Sequence, residues 1–223
     1  MKNNIVSLKN YKIAILVIIF VALFLVLARD RLHQWDEACF LSEAAYNKDY
    51  GFKCFSYDHF RLHKIMLSFL VDIFGTGLNA LFFIDLIYAL FVVITIFNLY
   101  YFCKLFFNDT TKARYIALIG LFLPITLYLG HKTISEVPAL MFSSFALVCI
   151  AKGLKGNSRY KIFWHVVAGI FVYLSSISRF DGPVAVYSFL GALFVMSLFK
   201  KPVQNIRFKD TIIAVSLVSF VFV

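Results

Sequence analysis

The chain has 223 residues, of which 61% are hydrophobic, 18% aromatic and only 15% charged. A soluble domain carries about 45–50% apolar and about 25% charged residues, so a soluble globular enzyme, a disordered tail and a disulfide-stapled secreted domain are excluded. The net charge of +10 would suggest nucleic acid in a soluble protein, but in a membrane protein it points to Lys- and Arg-rich cytoplasmic loops.

A helix needs roughly 17–25 residues to cross about 30 Å of hydrocarbon. Apolar runs of about this length lie at residues 11–28, 79–103, 115–129, 137–151, 162–177 and 183–199, and a seventh begins at 211. The expected fold is all-α: a polytopic transmembrane bundle of six to seven spans forming one domain over 1–223. The first run follows Lys2, Lys9 and Lys12. It is followed by Arg29-Asp30-Arg31-Leu32-His33 rather than a small-residue cleavage site. It therefore reads as a retained helix and not a signal peptide.

Charge sets the orientation. With the N-terminus cytoplasmic, the inner segments are 1–12, 104–114, 152–161 and 200–210. They hold 14 of the 22 Lys+Arg and two of the 12 acids, Asp109 and Asp210, leaving 8 basic and 10 acidic residues elsewhere. Inside carries +12 and outside −2, as the positive-inside rule requires. The basic excess is a topology signal, and a nucleic-acid partner is dropped.

The first outer segment, 29–78, is too long for a turn, and long ordered loops often carry function. An acidic helix is expected over 34–46, with Asp36, Phe40 and Glu43 on one face. Residues 47–51 should end it with turn-forming chemistry. A second, amphipathic helix is expected over 60–75. Leu62, Ile65, Met66, Phe69, Leu70 and Ile73 form its apolar face, with Arg61, Lys64, Ser68 and Asp72 opposite, a pattern that suits the membrane interface. A buried amphipathic helix is the plainer alternative. Cys39 and Cys54 both fall in this segment. They are capable of pairing on an oxidising side, but two free thiols are expected because no geometry argues for pairing.

Three polar clusters lie at the outer ends of the expected helices. Asp36-Glu37 is the first. His131-Lys132 with Ser135-Glu136-Val137-Pro138 is the second. Ser178-Arg179-Phe180-Asp181-Gly182-Pro183 is the third. One outer cavity could gather all three. Asp36 is the candidate general base for a substrate hydroxyl; as a bland alternative, Asp36 and Glu37 merely favour a helix dipole. Glu136 either starts a helix after Ser135 or binds substrate. Arg179 either grips a phosphate, helped by His131 and Lys132, or pairs with Asp181. Asp85 lies near the outer end of the second run, where charge is costly. There is no Gly-rich phosphate loop, zinc-type Cys spacing or Gly-x-Ser-x-Gly.

Trp35-Asp36-Glu37-Ala38 after the first run, Ser135-Glu136-Val137-Pro138-Ala139-Leu140, and Ser178-Arg179-Phe180-Asp181-Gly182 together resemble the N-terminal half of GT-C-fold glycosyltransferases. The similar branch is the protein-mannosyltransferase and aminoarabinose-transferase superfamily, which uses polyprenyl-phosphate-linked sugars. About 15 residues carry the motif likeness, while the topology covers most of the chain. Asp58-His59-Phe60-Arg61-Leu62-His63-Lys64 departs from the family, which often has a Pro-rich segment there.

The resemblance implies an integral-membrane transferase acting at the outer face, with Asp36 and Glu37 catalytic. Glu136, Arg179, Asp181, Lys132 and His131 would bind substrate. Its partners would be membrane lipid, a polyprenyl-phosphate-linked sugar and an acceptor of unknown class. No cofactor is certain; a divalent metal is optional, with Asp36 and Glu136 as its ligands if one is bound. Two readings from other classes stand beside it: a transporter or flippase for lipid-linked intermediates, and a non-catalytic membrane scaffold. The bias of 15 Lys to 7 Arg favours a bacterial plasma membrane over the ER. Residues 211–223 would span only about 20 Å as a helix, so the chain is expected to be a fragment of a longer protein or the product of a gene truncated inside its seventh span.

Overall fold

The structure is a computed structural model that describes residues 35–50, 61–76, 78–122, 129, 134–155, 160–198, 206 and 208–220, with the side chains of all but 35–37, 46–50, 78, 121 and 122. The described residues contain eight α-helices and no strand. They are α1 (Trp35–Tyr50), α2 (Arg61–Phe74), α3 (Leu78–Phe107), α4 (Thr110–Phe122), α5 (Glu136–Lys155), α6 (Lys161–Ser178), α7 (Val184–Leu198) and α8 (Phe208–Phe220). Three stretches are long and apolar enough to cross a membrane: Asn79–Phe107, Glu136–Lys155 and Lys161–Ser178. Val184–Leu198 is a shorter apolar helix. The expected first run, 11–28, lies outside the described residues.

Local chemistry sets several boundaries. Basic segment 104–114, expected as a loop, is helical except at Asn108 and Asp109. Asn108 has φ +53, the left-handed conformation that Asn tolerates and that turns the chain out of a helix. The Asp109 Oδ1 then accepts from the amides of Thr111 at 2.9 Å and Lys112 at 3.0 Å. It is an N-cap for α4. These amides, Lys112 first, hold its carboxyl below the usual carboxylate range. α5 begins with Glu136 and ends with Lys152 and Lys155, each complementing the helix dipole.

The helix α5 sits at the centre. Of its most apolar window 72% is buried, against 39% for α3 and 33% for α6. Ala146, Ala151 and Gly153 on α5 and Ala168 on α6 are fully or almost fully covered. Small side chains let helix backbones approach where lipid supplies no hydrophobic drive. At Gly153 the approach is so close that an added Cβ would lie 2.5 Å from the His165 ring. Asn98 of α3 donates to Ser144 of α5 at 2.9 Å. Asn98→Leu is expected to lower unfolding stability in detergent by about 0.6 kcal/mol and at most about 1.7. A chemical-denaturation midpoint unchanged from wild type would count against this bond holding α3 to α5. Outward, α6 exposes Ile162, Val166, Ile170 and Tyr173 along one stripe, as suits a helix side against lipid.

The charges cluster at opposite ends of this core. At one end Lys155 donates to the carbonyl of Phe106, Lys161 pairs with Asp210 at 3.1 Å, and the Lys152 ammonium lies 4.3 Å from the Trp164 ring centroid. At the other end lie the first turn of α5 and the link from α6 to α7.

A second core joins α1 and α2 to the first half of α3. Phe40, Leu67, Leu70, Val71, Ile84 and Tyr88 are buried together there. Two expectations change here. The helix α1 runs on to Tyr50, through residues 47–50 expected to end it. The buried stripe of α2 is His63, Leu67, Leu70 and Val71, while Ile65, Phe69 and Ile73 of its expected apolar face are 59%, 61% and 56% exposed, as on a face turned toward a membrane interface. Finally, Cys39 is disulfide-bonded, with its partner outside the described residues, so the free-thiol expectation fails for it. Burial at 4% exposure holds that sulfur in a fixed place, which the sequence pattern could not reveal.

Candidate functional site

Glu136, Arg179 and Asp181 meet at one end of the bundle. The Arg179 Nη1 donates to Glu136 Oε1, and its Nε donates to Asp181 Oδ1 at 2.6 Å. Glu136 belongs to the first turn of α5, and Arg179 and Asp181 to the link between α6 and α7. One guanidinium thus holds two carboxylates, leaving a formal charge of −1. Both readings of Arg179 bear on this arrangement: the Asp181 pair is present, and anion binding requires a carboxylate to move away. The three side chains are 33–48% exposed, so such pairs contribute only about 0–1 kcal/mol each.

A buried hydroxyl network holds the turn more firmly. The Arg179 amide donates to the Ser175 carbonyl at 2.9 Å, and the Gly182 amide to the Arg179 carbonyl at 2.9 Å. Ser143 Oγ donates to the Gly182 carbonyl at 2.7 Å and lies 2.9 Å from Ser175 Oγ. Ser175 Oγ donates to the Ala139 carbonyl at 2.8 Å. Ser143 and Ser175 are almost fully buried. Gly182 is required here because an added Cβ would lie 2.5 Å from Ser175 Oγ, 2.8 Å from the Ser175 carbonyl oxygen and 3.0 Å from Ala139 Cβ. The Asp-Gly step is therefore a packing requirement between α5 and α6.

The other expected site residues are placed less closely. Asp36 and Glu37 stand in the first turn of α1, and their side chains lie outside the description. His131 and Lys132 also lie outside it. Asp85 is buried two turns into α3. Metal binding has little support at Glu136: its Oε1 is on Arg179, and its Oε2 lies 3.4 Å from Ser135 Oγ. Among the described residues no three His, Cys, Asp or Glu side chains gather as a ligand set.

A cleft of about 400 Å³ opens between α1 and α2. Phe40, Glu43, Lys64, Ser68, Phe69 and Asp72 line it. Lys64 Nζ donates to Glu43 Oε1 at 2.9 Å, while Glu43 Oε2 is buried with no hydrogen-bond partner. Sequence reading placed Glu43 beside Phe40 on one face without assigning it a role. Its pairing with Lys64, 21 residues away, has no local pattern to reveal it. Behind the cleft, His63 Nδ1 lies 2.9 Å from the Tyr88 hydroxyl, and Phe40 packs edge-on to the His63 ring at 4.6 Å.

No protein family, curated protein or solved structure matches the chain.

Proposed function

We propose that the protein is a multi-pass membrane glycosyltransferase of the GT-C type, with its N-terminus cytoplasmic. It would transfer a sugar from a polyprenyl-phosphate donor to an acceptor hydroxyl at the outer face. The observation that carries the reading is the meeting of Glu136 with Arg179 and Asp181. Two segments 43 residues apart, both singled out by motif, join at one end of apolar helices. The basic side chains Lys152, Lys155 and Lys161 at the opposite end support the orientation.

In this reading Asp36 takes the proton of the acceptor hydroxyl, and the oxygen attacks the anomeric carbon. The bond from that carbon to the donor phosphate oxygen breaks, and polyprenyl phosphate leaves with the electron pair. A single displacement inverts the anomeric centre. Arg179 stabilises the leaving phosphate after exchanging Asp181 or Glu136 for it, with Lys132 and His131 as further cations and Glu37 and Glu136 positioning the acceptor. The protein would lie in a bacterial plasma membrane.

Membranes carrying the full chain, supplied with radiolabelled polyprenyl-phosphate sugars, test this. Asp36→Asn is expected to reduce transfer by at least about 100-fold at unchanged protein level. Full activity in that variant removes the base assignment. A second reading follows from Arg179 being already neutralised by two carboxylates: a non-catalytic scaffold whose ion cluster only closes the α6–α7 turn. It predicts no transfer from any donor, with wild type and variant alike.

A further inference from the structure

The cleft between α1 and α2 combines three properties that point to one class of ligand. First, the Glu43 carboxylate is only 7% exposed and has one oxygen on Lys64 and the other unpartnered. A buried carboxylate oxygen left without a donor is costly. The terminal torsion of Glu is soft, so a small rotation can present either oxygen to the cleft. Second, the charged lining is Glu43 and Asp72 against Lys64, a net charge of −1. Such a wall favours a headgroup that brings an ammonium and disfavours a net anion. Third, Ile65, Phe69 and Ile73 form an exposed ridge at i, i+4 and i+8. Ile65 and Phe69 also line the cleft, so polar pocket and apolar track are continuous.

We propose that this cleft seats the headgroup of an amine-bearing phospholipid. Its ammonium donates to Glu43, its phosphate lies beside Lys64, and an acyl chain follows Ile65, Phe69 and Ile73. The site does not depend on sugar transfer. A primary ammonium has N–H donors for the Glu43 oxygen, whereas a choline headgroup has none. A glycerol headgroup brings hydroxyl donors but a net negative charge.

Native mass spectrometry of the purified full chain, in detergent with equal amounts of phosphatidylethanolamine, phosphatidylcholine and phosphatidylglycerol, tests this without any substitution. Phosphatidylethanolamine should be retained about tenfold over the other two, as one hydrogen bond to a charged group implies. Equal retention of phosphatidylcholine overturns the proposal, as does equal retention of phosphatidylglycerol. Glu43→Gln should bring phosphatidylethanolamine down to the phosphatidylcholine level. Phe69→Ser, on a side chain that is already exposed, should weaken all three lipids without unfolding the protein. Unchanged lipid retention in either variant counts against the site. Binding of soluble O-phosphoethanolamine as strong as that of the lipid would remove the ridge from the argument and overturn the lipid assignment.

Discussion

Gly182→Ala is expected to destabilise the bundle strongly. The new Cβ would meet the Ser175 hydroxyl at 2.5 Å, the Ser175 carbonyl at 2.8 Å and Ala139 Cβ at 3.0 Å. The hydroxyl can rotate, but the carbonyl belongs to the α6 backbone and cannot. The α6–α7 turn must move off α5, breaking the Ser143 bond to the Gly182 carbonyl. Overpacking of this kind costs about 1–3 kcal/mol. A thermal or denaturant unfolding curve of the purified protein would report it. Gly191→Ala is the matched control, because nothing lies within 4 Å of its added Cβ; its midpoint should hold or rise slightly. Ser175→Ala placed with Gly182→Ala should restore only part of the loss, since the carbonyl contact persists. Wild-type stability in Gly182→Ala would show that the turn is not packed as described.

The docking of α2 should weaken in acid. Burial, and then the charge of Lys64, push His63 down from 6.5 to about 3. Freed from the core, the imidazole titrates near 6.5. Between these values the undocked form binds one more proton than the docked form. Docking is therefore at full strength above pH 6.5 and weakens as pH falls toward 3, by about 1.4 kcal/mol per pH unit. At pH 4.5 the loss is about 3 kcal/mol. Hydrogen exchange of the α2 amides across this range should accelerate relative to α5. His63→Leu with Tyr88→Phe removes both partners of the buried bond, so no polar group is stranded. Exchange of α2 in the double variant should then lose most of its pH dependence. Glu43 and Lys64 remain on this face, so an undiminished dependence in the double variant would assign the effect to that pair instead.

The sequence displays the helices more readily than their facing. Helix α2 occupies 61–74, where apolar periodicity predicts 60–75. Half of its predicted apolar face, Ile65, Phe69 and Ile73, is exposed, in keeping with the membrane-interface reading. In a membrane protein a lipid-facing ridge and a core-facing stripe have the same composition, so periodicity alone leaves an interfacial and a buried helix both open. His63 looks polar and is fully buried; Tyr88, 25 residues away, bonds its Nδ1, while its Nε2 is buried without a partner. The meeting of Glu136 with Arg179 was legible only as two motifs expected at one end of the bundle. What joins them is the buried contact of Ser143, Ser175 and Gly182, and a serine in an apolar run carries no sign of its partner. The Asn108–Asp109 break was hidden within a basic stretch, although Asn followed by a capping Asp has the chemistry to end one helix and start the next.

The buried hydroxyls of α5 also bear on how the chain enters a bilayer. Helix α3 is the most apolar of the three spanning candidates and α6 the least. Ser143 would lose the partners of its hydroxyl if α5 met lipid alone, whereas Ser144 donates to the Met141 carbonyl of its own helix at 2.7 Å. Ser143 finds its partners on α6 and in the turn after it, and Asn98 on α3 donates to Ser144. α5 and α6 are therefore suited to leave the insertion machinery together, as a hairpin against an α3 already in place. On that route α5 is the segment whose integration depends most on what precedes and follows it, although by composition alone it would pass for an ordinary independent span.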